Sequence, residues 1–133
     1  MIFLDINVLV DVLSAREGYE ASAEIIESIK EGKEKGCISA LTIPITWYVL
    51  GERRESIEEI RTLTKYFTIV PLSLRILNNA FESKMRDFED SIQLNSALKG
   101  KSEFLITRNK KDFEHYNKII ILTPEEFLSK HGN

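Results

Sequence analysis

The residues that could do chemistry in this chain are carboxylates. Asp5 ends the apolar run Ile2-Phe3-Leu4, Glu89 and Asp90 open a helical stretch, and Asn109 and Asp112 follow the apolar run Phe104-Leu105-Ile106. If the first and last of those runs are neighbouring strands, these groups converge on one cleft, with Asn7 and Thr107 between them. Several carboxylates without histidine make a hard oxygen site, suited to Mg2+ or Mn2+ rather than zinc. Each residue also has a plainer use. Asp5 can cap the helix that follows it, Glu89 and Asp90 suit the positive end of a helix dipole, and Asp112 can close a turn.

Other chemistries find little support. The only histidines are His115 and His131, too few for His-based metal motifs and a poor basis for a Ser-His-Asp triad. The six glycines are scattered and form no phosphate loop. A net charge of −3 gives no general affinity for nucleic acid, but basic residues cluster at Arg53-Arg54, at Lys99 and Lys101, and at Arg108, Lys110 and Lys111. Such groups are usually a solvated face, and they matter only beside a site.

Strands alternating with helices must position these residues. Ile2 to Leu4 reads as a strand buried on both faces, followed by a helix with Val8, Leu9, Val12 and Leu13 at helical spacing. Tyr19 to Lys30 is a second helix, and Cys37 to Ala40 a second strand. Thr42 can cap the next helix, which carries Ile45, Trp47, Tyr48 and Leu50. Ser56 and Glu59 have capping-box spacing, with Ile57, Ile60, Leu63 and Thr64 inward. Phe67 to Leu72 is the third strand; Ser73 caps a helix whose apolar stripe is Leu74, Leu77, Ala80 and Phe81. Asp87 caps a helix running to Lys99, Phe104 to Ile106 and Ile119 to Leu122 are the last two strands, and Thr123, Pro124 and Glu126 open a terminal helix that frays towards Asn133. The alternation predicts a parallel sheet covered on both faces.

The 133 residues are expected to form one domain, 1–133, with an ordinary globular composition of 43% hydrophobic and 29% charged residues. No apolar run approaches the roughly 20 residues of a membrane span, and the start lacks the features of a signal peptide, so no membrane association is expected. A lone cysteine, Cys37, excludes an internal disulfide and fits a reducing cytoplasm.

The strings Phe3-Leu4-Asp5-Ile6-Asn7-Val8-Leu9, Phe88-Glu89-Asp90-Ser91-Ile92-Gln93, Ile106-Thr107-Arg108-Asn109-Lys110-Lys111-Asp112-Phe113 and Leu122-Thr123-Pro124-Glu125-Glu126-Phe127-Leu128 resemble, in order and spacing, the PIN-domain family. The resemblance implies a three-layer α/β/α sandwich around a five-stranded parallel sheet in the order 3-2-1-4-5, with an acidic metal cleft. It implies a Mg2+- or Mn2+-dependent endoribonuclease, as in single-domain prokaryotic toxins paired with an antitoxin, and commonly a homodimer. By position Asp5 and Asp90 match catalytic, metal-holding acids. Asp112 matches an aspartate common after the fourth strand, acting through water or on a weaker ion. Asn7 and Thr107 match polar residues beside the metal, with Glu89 and Asn109 around it; Asn109 stands where many members place a last acid. Arg108, Lys110 and Lys111 would contact RNA phosphates, and as surface groups could be replaced at little cost to folding. One departure is plain. Ser39, Ala40 and Thr42 match a Ser-Ala-x-Thr pattern, yet the glutamate that often follows is Ile45, and the nearest acid, Glu52, lies seven residues or about 10 Å further along. Some subgroups lack this glutamate. Its absence favours the alternative of a weakened or inactive PIN domain that binds RNA or protein.

Overall fold

A computed structural model describes residues 1–113 and 116–131; His115 and the expected frayed end, Gly132 and Asn133, lie outside the described residues. Five strands, β1 (Ile2–Leu4), β2 (Gly36–Ser39), β3 (Phe67–Val70), β4 (Phe104–Ile106) and β5 (Ile120–Leu122), form a parallel sheet in the order β3-β2-β1-β4-β5. β1 is the middle strand: Phe3 pairs with Cys37 on one side and Leu105 on the other. The first and fourth strands are therefore neighbours, which is what convergence of the carboxylates required.

Among the described residues seven α-helices cover the sheet: α1 (Ile6–Leu13), α2 (Glu20–Lys30), α3 (Thr42–Val49), α4 (Arg54–Thr64), α5 (Leu74–Glu82), α6 (Phe88–Lys99) and α7 (Pro124–His131). Strand alternation divides the core in two. Ile2 and Leu4 pack with Val8, Leu9, Ile25, Ile29 and Phe127 on one face, and Phe3 packs with Ile76, Ala80, Ile92 and Ala97 on the other. Both faces of β1 are thus covered, which explains its unbroken apolar sequence. Gly36 is needed in β2 by close approach, because a Cβ there would lie 2.7 Å from Ile29 Cδ1 and 2.8 Å from Phe67 Cδ1.

Several predicted helix starts hold. Ser73 Oγ accepts from Ile76 N (3.2 Å) and Asp87 Oδ1 from Asp90 N (3.0 Å). Thr123 and Glu126 form a reciprocal capping box at 3.0 and 3.1 Å. Four expectations do not hold. Thr42 is no cap: it is the first residue of α3, after Leu41 at the cap position. Ser56 is no cap: α4 begins at Arg54, so Ser56 is already helical and buried, its Oγ without a partner among the described residues. Ile57 is 43% exposed, lining an open apolar groove with Ile43, Trp47 and Ile60. On α5 the buried residues are Ile76 and Ala80, with Leu77 half-buried, while Leu74 and Phe81 are 72% and 69% exposed. The arc through positions 76, 77 and 80 packs into the core, and positions 74 and 81 fall outside it.

Candidate active site

The end of β1 delivers Asp5 into a buried polar network. Its backbone N–H continues the β1–β4 ladder by donating to Ile106 O (2.9 Å), and its Oδ1 caps α1 by accepting from Ile6 N (2.9 Å). The plainer use of Asp5 is therefore real, yet it occupies only part of the carboxylate. Thr107 Oγ1 donates to Oδ2 at 2.8 Å, and Gln93 Nε2 donates to Oδ1 at 3.3 Å. Thr107 in turn accepts from Asn109 N at 3.1 Å. Ser39 Oγ donates to Gln93 Oε1 and accepts from Thr42 N at 3.2 Å. Because Ser39 gives its one proton to Gln93, Thr42 Oγ1 is the donor in their 3.0 Å contact. A relay of Thr42, Ser39 and Gln93 thus fixes Asp5 from the β2–α3 side, and Thr107 fixes it from β4.

Asp5 is 4% exposed. Burial raises its pKa above the ordinary carboxylate value; the hydrogen bonds from Thr107, Gln93 and Ile6 N work against that, and the charge of Asp112 adds to it. Asp90, half-buried in the first turn of α6, is pushed up to about 7, first by desolvation and then by the charges of Asp87, Asp5, Asp112 and Glu89. Glu89 is exposed, and its carboxyl is raised by partial desolvation and by Asp87 and Asp5. Asp112, at the end of a 3₁₀ turn over Lys110–Asp112, is exposed. Asp90, Asp87 and Asp112 line a cavity of about 790 Å3 with Lys84, Arg86 and Lys111 on its walls. Asp5 is not in that wall, although its charge is felt at Asp90.

The structure thus brings together Asp5, Asp90, Asp112, Thr107, Glu89 and the backbone of Asn109. Asn7 is half-buried at the start of α1 and takes no part in the hydrogen bonds around Asp5. The basic residues divide. Lys111 lines the cavity. Lys110 Nζ lies 3.0 Å from both carboxylate oxygens of Glu126. Arg108, expected to be a replaceable surface group, donates from Nη1 to Asp11 Oδ2 at 2.9 Å and contacts Gly18 O at 3.4 Å. Asp11 is 4% exposed, so Arg108 neutralises a buried charge, with Arg16 3.8 Å away as a weaker second partner.

From the sequence, Ser39 and Thr42 have only a pattern match and, for Thr42, a capping role, and Gln93 and Asp87 have no role at the site. The signal for Gln93 is its place between Ile92 and Leu94 on a helix feeding the central sheet, three residues after Asp90; it is fully buried. A buried glutamine must be satisfied, and its partners here are the site itself. Lys84 and Arg86 sit in a connecting loop and become site residues only through the tertiary fold.

The donors are all oxygen, as a hard divalent cation prefers. Among the described residues no cluster of three or more His, Cys, Asp or Glu side chains is assembled tightly enough to hold an ion. A Mg2+ ion that keeps several waters is commonly bound by only one or two carboxylates together with substrate phosphate, a demand that oxygen donors spread over Asp5, Asp90 and Asp112 do not contradict.

A family model described as PIN domain matches residues 1–111. No curated protein sequence matches the chain. Among solved structures, a toxin-antitoxin complex from Klebsiella pneumoniae is similar at 24% identity and a TM-score of 0.70, covering 93% of this chain and 98% of that one. VapBC2 from Rickettsia felis, bound to a DNA fragment from its promoter, gives 18% identity and a TM-score of 0.62 over 91% and 97% of the two chains. FitAB bound to an IR36 DNA fragment gives 18% and 0.67 over 93% and 95%. At these identities the likeness is one of fold. Among the described residues no helix is long and apolar enough to cross a membrane.

Proposed function

Because the chain belongs to the PIN-domain family, whose members are typically nucleases that use divalent metal ions, we propose that its acidic cavity hydrolyses RNA phosphodiester bonds with Mg2+ or Mn2+. The observation that carries this reading is the pairing of a buried, multiply hydrogen-bonded Asp5 with Asp90, a carboxyl pushed up to about 7 beside an open cavity. Asp5 and Asp90 would hold the ion directly, and Asp112 would act through water or at a second, weaker site. A bound divalent cation supplies charge stabilisation at the phosphate oxygens and a more acidic water. The chain's own residues supply the orientation. Thr107 and Gln93 fix both oxygens of Asp5, Asn109 N–H fixes Thr107, and Lys111 attracts the phosphate backbone to the cavity rim.

The toxin-antitoxin complex among the similar structures supports an antitoxin as the proposed protein partner; a cytoplasmic homodimer is the proposed state. The buried lone thiol of Cys37 accords with a reducing compartment. A second reading has one observation in its favour: the acid common on α3 is Ile45, so the domain could bind RNA or protein without cutting.

Metal titration followed by thermal unfolding tests the proposal. Millimolar Mn2+ at neutral pH should raise the melting temperature, because binding to the native state alone is stabilising by about 2.7 kcal/mol at a hundredfold excess over Kd. Asp5→Asn should abolish the rise together with cleavage of a labelled RNA. Identical melting with and without metal would refute the metal site. A metal-dependent rise without cleavage would favour the binding-module reading.

A further inference from the structure

The donors that meet Asp5 are unevenly shared between its two oxygens. Oδ1 accepts from Ile6 N at 2.9 Å and from Gln93 Nε2 at 3.3 Å, whereas Oδ2 accepts from Thr107 Oγ1 at 2.8 Å. An ionised carboxylate, the form in which a metal is held, has about four lone-pair sites, two on each oxygen. These donors fill both sites on Oδ1 and one on Oδ2. Among the described residues nothing takes the remaining site, which belongs to Oδ2.

At Oδ1 the Ile6 N–H is a backbone group that caps α1, so Gln93 is the side chain that closes this oxygen. Its amide is held at both ends. Ser39 donates to Gln93 Oε1 and is itself held by Thr42 N at 3.2 Å and by the Thr42 hydroxyl at 3.0 Å. Turned round, the amide would set its oxygen against a carboxylate that can only accept. Ile6 N and Thr107 already give each oxygen of Asp5 a partner, so satisfying the buried carboxylate does not require Gln93. What Gln93 adds is closure of the second site on Oδ1.

We propose that Gln93 sets the cation selectivity of the acidic site by confining Asp5 to coordination through one oxygen, Oδ2. The inference rests on the metal-dependent reading and deepens it. Coordination through both oxygens needs an open site on each, and Gln93 denies the one on Oδ1. Ca2+ takes about six to eight oxygens in flexible geometry and readily uses carboxylates through both oxygens; Mg2+ demands a near-ideal octahedron and keeps several of its waters. A one-oxygen aspartate therefore serves Mg2+ or Mn2+ in full and leaves Ca2+ short of a ligand. No tight cluster of three acids is present among the described residues to make up that loss.

The test is calorimetry on the whole chain without RNA, titrating Mn2+ and Ca2+ separately. Gln93→Met keeps an unbranched side chain of similar size and removes the amide donor. The wild type should bind Mn2+ more tightly than Ca2+. In the variant the ratio of the Ca2+ to the Mn2+ dissociation constant should fall about tenfold, a typical size for a change beside a metal ligand. A merely structural role would weaken both cations alike and leave that ratio where it was. Should Gln93→Met melt lower than wild type, the ratio in Ser39→Ala decides, because losing the Ser39 hydroxyl frees the amide to turn away from Asp5; it should fall there too. An unchanged ratio in the deciding variant, or a wild type that binds Ca2+ as tightly as Mn2+, would overturn the selectivity and leave the metal site standing. Failure of the wild type to bind either cation would remove the metal reading on which the selectivity rests.

Discussion

At Asp90, desolvation and the charges of Asp87, Asp5, Asp112 and Glu89 all act in one direction. The folded chain holds this proton up to about pH 7, whereas the unfolded chain releases it near the ordinary aspartate value of 3.8. The resulting contribution to stability is fully present below about pH 4 and is lost as pH rises through about 7. In EDTA, Asp90→Asn should therefore melt with wild type near pH 4 and above it near pH 8. The gain should be about 1–2 kcal/mol after allowance for solvent screening, or roughly 3–8 °C. Saturating Mn2+ at the higher pH should shrink that gap by stabilising wild type, and a gap that metal leaves untouched would speak against Asp90 as a ligand. Ile45 makes a second residue-scale prediction. It is half-buried, belongs to neither apolar layer, and lies three residues from Thr42 on α3, the side from which the relay reaches Asp5. Ile45→Glu should keep its melting temperature within a few degrees and bind Mn2+ more tightly in calorimetry. A loss of several kcal/mol would instead place Ile45 against the core.

At the scale of elements, the loop after β4 is held from two sides. Arg108 ties it to α1 through Asp11 and to the turn at Gly18, where a Cβ would lie 3.3 Å from the Arg108 guanidinium and the backbone φ is +82°. Lys110 ties it to α7 through Glu126. Arg108→Ala should cost about 2–4 kcal/mol in urea unfolding, because it strands the buried Asp11 carboxylate. Lys111→Ala should cost within about 0.5 kcal/mol and lower the slope of log K against log salt for RNA by about one. Equal stability of the two variants would show that Asp11 finds another partner. This loop also marks where sequence reading ends. Thr107 and Asp112 were legible because they follow a short apolar run that could only be a buried strand. The destination of Arg108 was not, since its partner lies 97 residues away on another element. The same holds for α5, whose apolar residues Leu74 and Phe81 fit a helical stripe but stay largely exposed, Phe81 meeting α6 only at the half-exposed ring of Phe88.

For the molecule as a whole, alternation of strands with helices predicts the parallel sheet, and the four family strings supply its order. Neither could supply the relay through Ser39 and Gln93, because hydrogen bonds over 54 and 88 residues depend on which strands become neighbours. That dependence has a consequence for biosynthesis. β1 is the central strand, yet one of its two neighbours, β4, and the hydroxyl that holds Asp5 Oδ2 come 102 residues later. A ribosome making this chain therefore exposes the first acid of the cavity long before the second side of the cavity exists. A contact of such sequence separation closes late, after most of its loop entropy has been lost. A chain arrested before β4 should have neither the metal-dependent rise in melting temperature nor activity. If the domain cuts RNA, the transcript and the ribosome that produce it are shielded during synthesis by the order in which its strands are made.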